Sequence, residues 1–177
     1  MYQFCVSIQY VGIILCLLGL VYLLKQWPSR PQSIMLFLGM AILVYSIGYL
    51  FEITSDSLGE ALMATKISYM GKVYIPPLAF LFVLYYYRIN ISKKLVLATV
   101  AAHTMLLVLI LTCEHHDFFY TNIGFAKEGL FPHLVHWHGV GYVAYMALVL
   151  CYGVIMLIVC ILQYLQAKSK EKEKALY

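Results

Sequence analysis

Apolar residues along this chain fall in long, nearly unbroken runs separated by short polar breaks, not in the one-sided stripes of water-soluble helices. Runs over about residues 5–24, 33–51, 58–88, 95–111 and 140–162 can each cross a hydrocarbon core roughly 30 Å thick, for which about 20 helical residues suffice. The pattern predicts an all-α membrane protein of about five transmembrane helices. Polar residues mark the ends. Pro28 and Pro31 break the helix after Lys25, and Trp27 suits the membrane interface. Ser57 and Glu60 have the spacing of a capping box, in which hydroxyl and carboxylate satisfy the first free amides of the third helix. That helix continues to Arg88, roughly 30 residues or about 45 Å at about 1.5 Å per residue, so its first turns project beyond the hydrocarbon. Pro76 and Pro77 should bend it.

The stretch 113–139 between the fourth and fifth runs is too polar to cross and too aromatic to be a disordered linker. Residues 118–125 and 130–137 are β-compatible and flank Ala126-Lys127-Glu128-Gly129, which predicts a hairpin over one mouth of the bundle. Lys25, Arg30, Arg88, Lys93, Lys94 and the tail lysines 168, 170, 172 and 174 share one set of connections. The other set carries Lys66 and Lys127, with Lys72 near the boundary. Cytoplasmic loops retain Lys and Arg during insertion, so the N-terminus is expected outside, the hairpin outside and the C-terminus in the cytoplasm. The chain divides into a membrane domain, 1–167, and a charged cytoplasmic tail, 168–177.

Composition agrees: 63% of the 177 residues are hydrophobic and 11% charged, which excludes an ordinary soluble domain. The net charge of +4 is dispersed among loops rather than gathered in a patch, so no nucleic-acid partner is expected. The five cysteines have no CxxC spacing and read as small buried hydrophobes. The first run lacks a basic n-region and a small-residue cleavage site, and is read as a retained span rather than a signal peptide. No GxSxG, HExxH, phosphate loop or nucleotide fingerprint occurs, so the chain is expected to be non-catalytic and without cofactor.

Candidate chemistry clusters at the end carrying the acidic residues. Tyr45, Tyr49 and Glu52 share one face of the second helix, and Lys66, Tyr69 and Val73 one face of the third, with Lys72 one position off. A charge near lipid needs a partner, so Glu52 is expected to pair with Lys66 or Lys72 in a tyrosine-lined pocket opening outward. The competing reading has Glu52 and Lys66 snorkelling to water from helix ends. Five of the six histidines, His115, His116, His133, His136 and His138, lie in the outer loop. In a strand His136 and His138 point the same way, in a helix His133 and His136 do, and either pair with His115 or His116 would make a partial zinc shell. No standard zinc spacing is matched, so interfacial or hydrogen-bonding roles are preferred to a metal site, with proton sensing between them. His103, within the fourth run, is expected to hydrogen-bond between helices.

The segments Gly48-Tyr49-Leu50-Phe51-Glu52, Lys66-Ile67-Ser68-Tyr69-Met70-Gly71-Lys72-Val73-Tyr74-Ile75-Pro76, and the loop from Glu114-His115-His116 to Phe131–Gly139 resemble the histidine kinase N-terminal seven-transmembrane-helix sensor region. The resemblance implies a bacterial inner-membrane receptor module that detects an extracellular or membrane-borne signal, an unidentified small molecule or protons. It implies a cytoplasmic output domain in cis or trans, a histidine kinase or diguanylate cyclase, and a homodimer. Glu52, Lys66, Tyr69, Gly71 and Pro76 are the positions it carries over, with Pro77 beside them at the bend. Such a module has two further spans, so the expectation here is a chain truncated after about five helices or a short protein that signals through a partner. The alternatives are a small membrane transporter or channel component, or a metal-binding membrane protein.

Overall fold

Each apolar run forms a helix in the computed structural model, which describes residues 2–25, 30–129 and 131–174. Trp27 and Pro28 lie outside the described residues. The elements are α1 (Tyr2–Lys25), α2 (Arg30–Ile53), α3 (Leu58–Lys72), α4 (Ile75–Tyr86), α5 (Lys93–Leu111), strands β1 (Tyr120–Ala126) and β2 (His133–His138), and α6 (Val140–Lys174). A short 3-10 turn, Cys113–His115, links α5 to the hairpin. Helix α1 ends at Lys25 as expected, and Pro31 falls in the first turn of α2, where a missing N–H costs nothing. Helix α6 continues unbroken past the apolar run to Lys174.

Five stretches are long and apolar enough to cross a membrane: Tyr2–Lys25, Gln32–Ile53, Leu58–Tyr86, Lys93–Leu111 and Val140–Lys168. Their outer faces are apolar. Leu15, Leu97 and Leu150 expose 62%, 71% and 66% of their surface, an arrangement that water would penalise and lipid does not. Helix α2 is central, packing against α1, α3 and α4, while α6 packs on α4 and α5 on α3. The α2–α3 contact depends on two glycines. A methyl group on Gly48 would lie 2.6 Å from the Ser68 Cα, and one on Gly71 would lie 2.6 Å from the Tyr45 amide nitrogen. Small residues let the backbones approach this closely, which in lipid replaces the hydrophobic drive.

The third span is broken rather than bent. Pro76 has no N–H to offer the Lys72 carbonyl and Pro77 none for Val73, so the α-ladder stops and residues 73 and 74 form a turn between α3 and α4. The freed Lys72 carbonyl accepts instead from the Tyr145 hydroxyl of α6, at 3.3 Å. Tyr145 is buried and belongs to the same core. Tyr145→Phe keeps the ring and removes only this donor; thermal unfolding in lipid nanodiscs is expected to show a loss of about 1–2 kcal/mol.

At its start, α3 is capped by Ser57, whose hydroxyl accepts from the Glu60 amide at 3.3 Å. The Glu60 carboxylate reaches one residue further back than a capping box requires, accepting from the Asp56 amide at 2.8 Å. The hairpin forms with antiparallel register from Tyr120 opposite His138 to Ala126 opposite His133, and an irregularity between Thr121 and Gly124 where Asn122 has φ +50°. Its connection, residues 127–132, is two residues longer than predicted, because β1 ends one residue later and β2 begins three residues later than the expected stretches. Tyr2 donates to the Ile53 carbonyl, and Lys127 reaches Asp56 at 3.3 Å. The start of α1, the α2–α3 turn and the hairpin therefore share one end of the bundle.

Candidate functional site

The hairpin is seated on the helices by an aromatic plug. Phe119 and Tyr120 are buried with Tyr69 and Val73 of the third span, Ile110 of α5, Cys113, and Tyr145 of α6. The Tyr69 and Tyr120 hydroxyls hydrogen-bond each other, and Phe119 meets the Tyr69 ring edge-on at 5.6 Å between centroids. Burial pushes the Tyr120 phenol well above its ordinary range, so it acts as a neutral hydrogen-bonding group.

Between this plug and α2 lies a cavity of about 310 Å³. Helix α2 contributes Tyr45, Tyr49 and Glu52, successive turns of one face. Helix α3 contributes Thr65, Ser68, Tyr69 and Lys72, likewise one face at helical spacing. The hairpin and the start of α6 supply Tyr120, His136, His138 and Tyr142. His136 and His138 point the same way because β2 is a strand. His136 lies on Tyr120 at 3.8 Å and His138 stacks on Tyr142 at 4.0 Å, which lines that wall with ring faces.

Several polar atoms in this cavity are unsatisfied. Thr65 Oγ1, Ser68 Oγ and His136 Nδ1 are buried without a hydrogen-bond partner. A helical hydroxyl can always donate to the carbonyl four residues back, as Ser7, Thr54, Thr104 and Thr112 do at 2.8–2.9 Å. Thr65 and Ser68 instead turn toward the cavity. Lys72 Nζ lies 4.7 Å from the Tyr69 ring centroid, and Glu52 lies beside the Thr65 side chain and the Leu134 backbone, close enough for both to act on its carboxyl. Glu52 and Lys72 act on one another across the cavity but do not approach to the roughly 4 Å of an ion pair.

A family model described as the N-terminal 7TM region of histidine kinase matches residues 7–176. The chain belongs to that family. No curated protein and no solved structure matches it. This histidine kinase sensor region is thus a multi-pass membrane domain of a family that serves cytoplasmic output.

Within the sensor region, Tyr45, Tyr49, Glu52, Tyr69 and Lys72 come together, and Lys66 does not join them. Lys66 pairs with Glu114 at 2.8 Å, pinning α3 to the turn after α5, so of the two expected partners of Glu52, Lys66 or Lys72, Lys66 is engaged elsewhere. The Lys66 ammonium holds the Glu114 carboxyl below the usual carboxylate range. Gly71 is a packing position against Ala41 and Tyr45, and Pro76 and Pro77 open α4. The five loop histidines divide. His136 and His138 line the cavity, while His133 lines a smaller hollow of about 180 Å³ shared with Tyr49 and Glu52. His116 bonds Thr112 at 3.1 Å and His115 is largely exposed. Among the described residues no three His, Cys, Asp or Glu side chains converge as a metal shell would. His103 corrects a further expectation: its Nδ1 meets the Thr99 carbonyl of its own helix at 2.7 Å, not a group on a neighbouring one.

Sequence reasoning overlooked Thr65, Ser68, Tyr120 and Tyr142. The first two repeat at the helical spacing of Tyr69 and Lys72 and were open to detection. Tyr120 and Tyr142 were not, because only the seating of the hairpin brings them over α3.

Burial, with His138 next to it, holds the His136 imidazole below the ordinary histidine range. The groups around it are His138, Lys72, Glu52 and Tyr120. An unfolded histidine protonates near pH 6.5, before the folded one, so this contribution is intact above about pH 6.5 and is lost as pH falls through the folded value. Melting temperature in nanodiscs is expected to fall on acidification below about pH 6.5. His136→Gln should flatten that fall, and an unchanged slope would remove His136 as its source.

Proposed function

We propose that this chain is the input domain of a bacterial inner-membrane receptor of the histidine kinase or diguanylate cyclase type, with its N-terminus and hairpin outside and its C-terminus in the cytoplasm. The distribution of basic residues supports this orientation: Lys25, Arg30, Arg88, Lys93, Lys94 and the tail lysines belong to connections opposite the hairpin end. The signal is a small polar molecule entering the cavity between α2, α3 and the hairpin. The observation that carries the reading is the buried Ser68 hydroxyl without a hydrogen-bond partner, on the same wall as Thr65 and facing Glu52 and Lys72, which interact across the cavity without closing to an ion pair. Uncompensated polar groups cost stability, so a cavity lined with them is one an occupant stabilises.

Relay follows from what the cavity touches. Tyr69 and Lys72 sit on the last turn of α3, directly before the break, and the Lys72 carbonyl is held by Tyr145 of α6. An occupant that draws Lys72 inward changes that contact, biasing α6 between two packings and shifting its cytoplasmic end toward the output domain. The module works as a homodimer. The test is to fuse the chain to its kinase or cyclase, screen extracellular small molecules for altered output, and compare wild type with Glu52→Gln and Lys72→Met. Loss of the response in both variants, with assembly and basal output retained, is expected. An unchanged response in both removes the cavity as the signal site.

The broken third span also suits a transporter. That reading requires substrate flux in proteoliposomes, and flux without any change of cytoplasmic output would establish it.

A further inference from the structure

Resting on the cavity reading above, we infer that the occupant is a small zwitterion, carrying an ammonium group and an acidic oxyanion a few ångströms apart, of which an α-amino acid is the simplest case. Size sets the first bound. About 310 Å³ lies at the lower end of the range for small-molecule sites, which suits a compound the size of an amino acid. Charge sets the second. The cavity has one carboxylate, Glu52, and one ammonium, Lys72, and no ion pair joins them. A lone anion would meet the repulsion of Glu52 and a lone cation that of Lys72. A molecule with both charges meets attraction at each end.

The remaining groups fit the same molecule. Tyr69, Tyr120, His136 and Tyr142 present aromatic surface on the side away from α2, which suits an ammonium through its positive charge or a side chain through apolar contact. Ser68 has a free donor on the α3 wall that carries Lys72, where the oxyanion would lie, and Thr65 lies on the same wall beside Glu52.

The same chemistry occurs in zwitterionic phospholipid headgroups, so the test has two arms. The whole chain is reconstituted in nanodiscs of phosphatidylglycerol alone, and melting temperature and calorimetric binding are measured with each of the common α-amino acids and with glycine betaine. For each compound that binds, the decarboxylated amine and the deaminated acid follow. The expected result is stabilisation by at least one zwitterion, with both analogues roughly 30-fold weaker or worse. Glu52→Gln should weaken the zwitterion by a similar factor while sparing the acid analogue, and Lys72→Met should spare the amine. The second arm adds phosphatidylethanolamine to the discs; stabilisation there, without any soluble binder, assigns the zwitterion to the lipid headgroup. Stabilisation by an uncharged, purely anionic or purely cationic compound from a control set of sugars, acids and amines, with no zwitterion active in either arm, overturns this inference and leaves the cavity as a sensor site. No binding in either arm, with the receptor fusion's response unaffected by Glu52→Gln and Lys72→Met, overturns both. The analogue series on wild type decides the matter even where a variant does not fold.

Discussion

Gly71→Ala is expected to lower stability by about 3 kcal/mol, the upper part of the range for overpacking, and to abolish whatever the cavity binds. The added methyl would meet backbone, the Tyr45 amide at 2.6 Å and the Ala41 carbonyl closer still, and backbone cannot rotate aside as a side chain can. Helices α2 and α3 would have to separate, and with them Tyr45 and Glu52 on one side and Ser68 and Lys72 on the other. Gly59→Ala is the control, because nothing lies within 4 Å of a methyl there; alanine's better helix propensity makes it neutral or stabilising by up to about 1 kcal/mol. Thermal or denaturant unfolding of both variants in the same lipid checks the pair. Equal stabilities would mean that the α2–α3 contact tolerates a wider spacing than this packing allows.

Phe119→Ala is expected to cost about 3–5 kcal/mol, the range for emptying a buried aromatic site. Phe119 is fully buried and its ring is within 6.4 Å, centroid to centroid, of Tyr69, Tyr120, Tyr142 and Tyr145. It is the wedge that holds the hairpin onto the helices. Its loss should free the hairpin while leaving helices α1 to α5 formed. Hydrogen exchange would then accelerate at the β1 and β2 amides with little change in helical circular dichroism, and binding at the cavity would be lost with the wall that carries His136 and His138. Protection of the strand amides at the wild-type level would show that the Lys127–Asp56 ion pair to the α2–α3 turn and the Tyr69–Tyr120 hydrogen bond hold the hairpin without Phe119.

The five spans were legible because a membrane segment announces itself over about 20 residues, and no tertiary contact competes with the solvent it demands. The hairpin was legible because its two β-compatible stretches flank a turn. The faces of α2 and α3 were legible from helical periodicity, which placed Tyr45, Tyr49 and Glu52 together, and Tyr69 near Lys72. Partner choice was not. Lys66 and Lys72 lie within two turns of each other, and which of them faces Glu52 depends on the rotation of α3, which the Gly48 and Gly71 contacts set. Sequence spacing carries no information about that angle. Glu114 as the partner of Lys66, 48 residues away, depends in turn on where α5 ends.

Length, periodicity and the positions of charge therefore determined by themselves the membrane environment, the five spans, an interruption of regular helix near Pro76 and Pro77, expected as a bend and found as a break, and the existence of the hairpin, because each follows from local solvation and backbone chemistry. Tertiary structure decided how the hairpin seats, which two of its histidines face inward, and that Thr65, Ser68, Tyr120 and Tyr142 complete the cavity. The physical reason is that a cavity is a property of surfaces brought together from distant parts of the chain. Its walls are fixed by close packing at Gly71 and Phe119, whose effects extend well beyond their own neighbours in sequence.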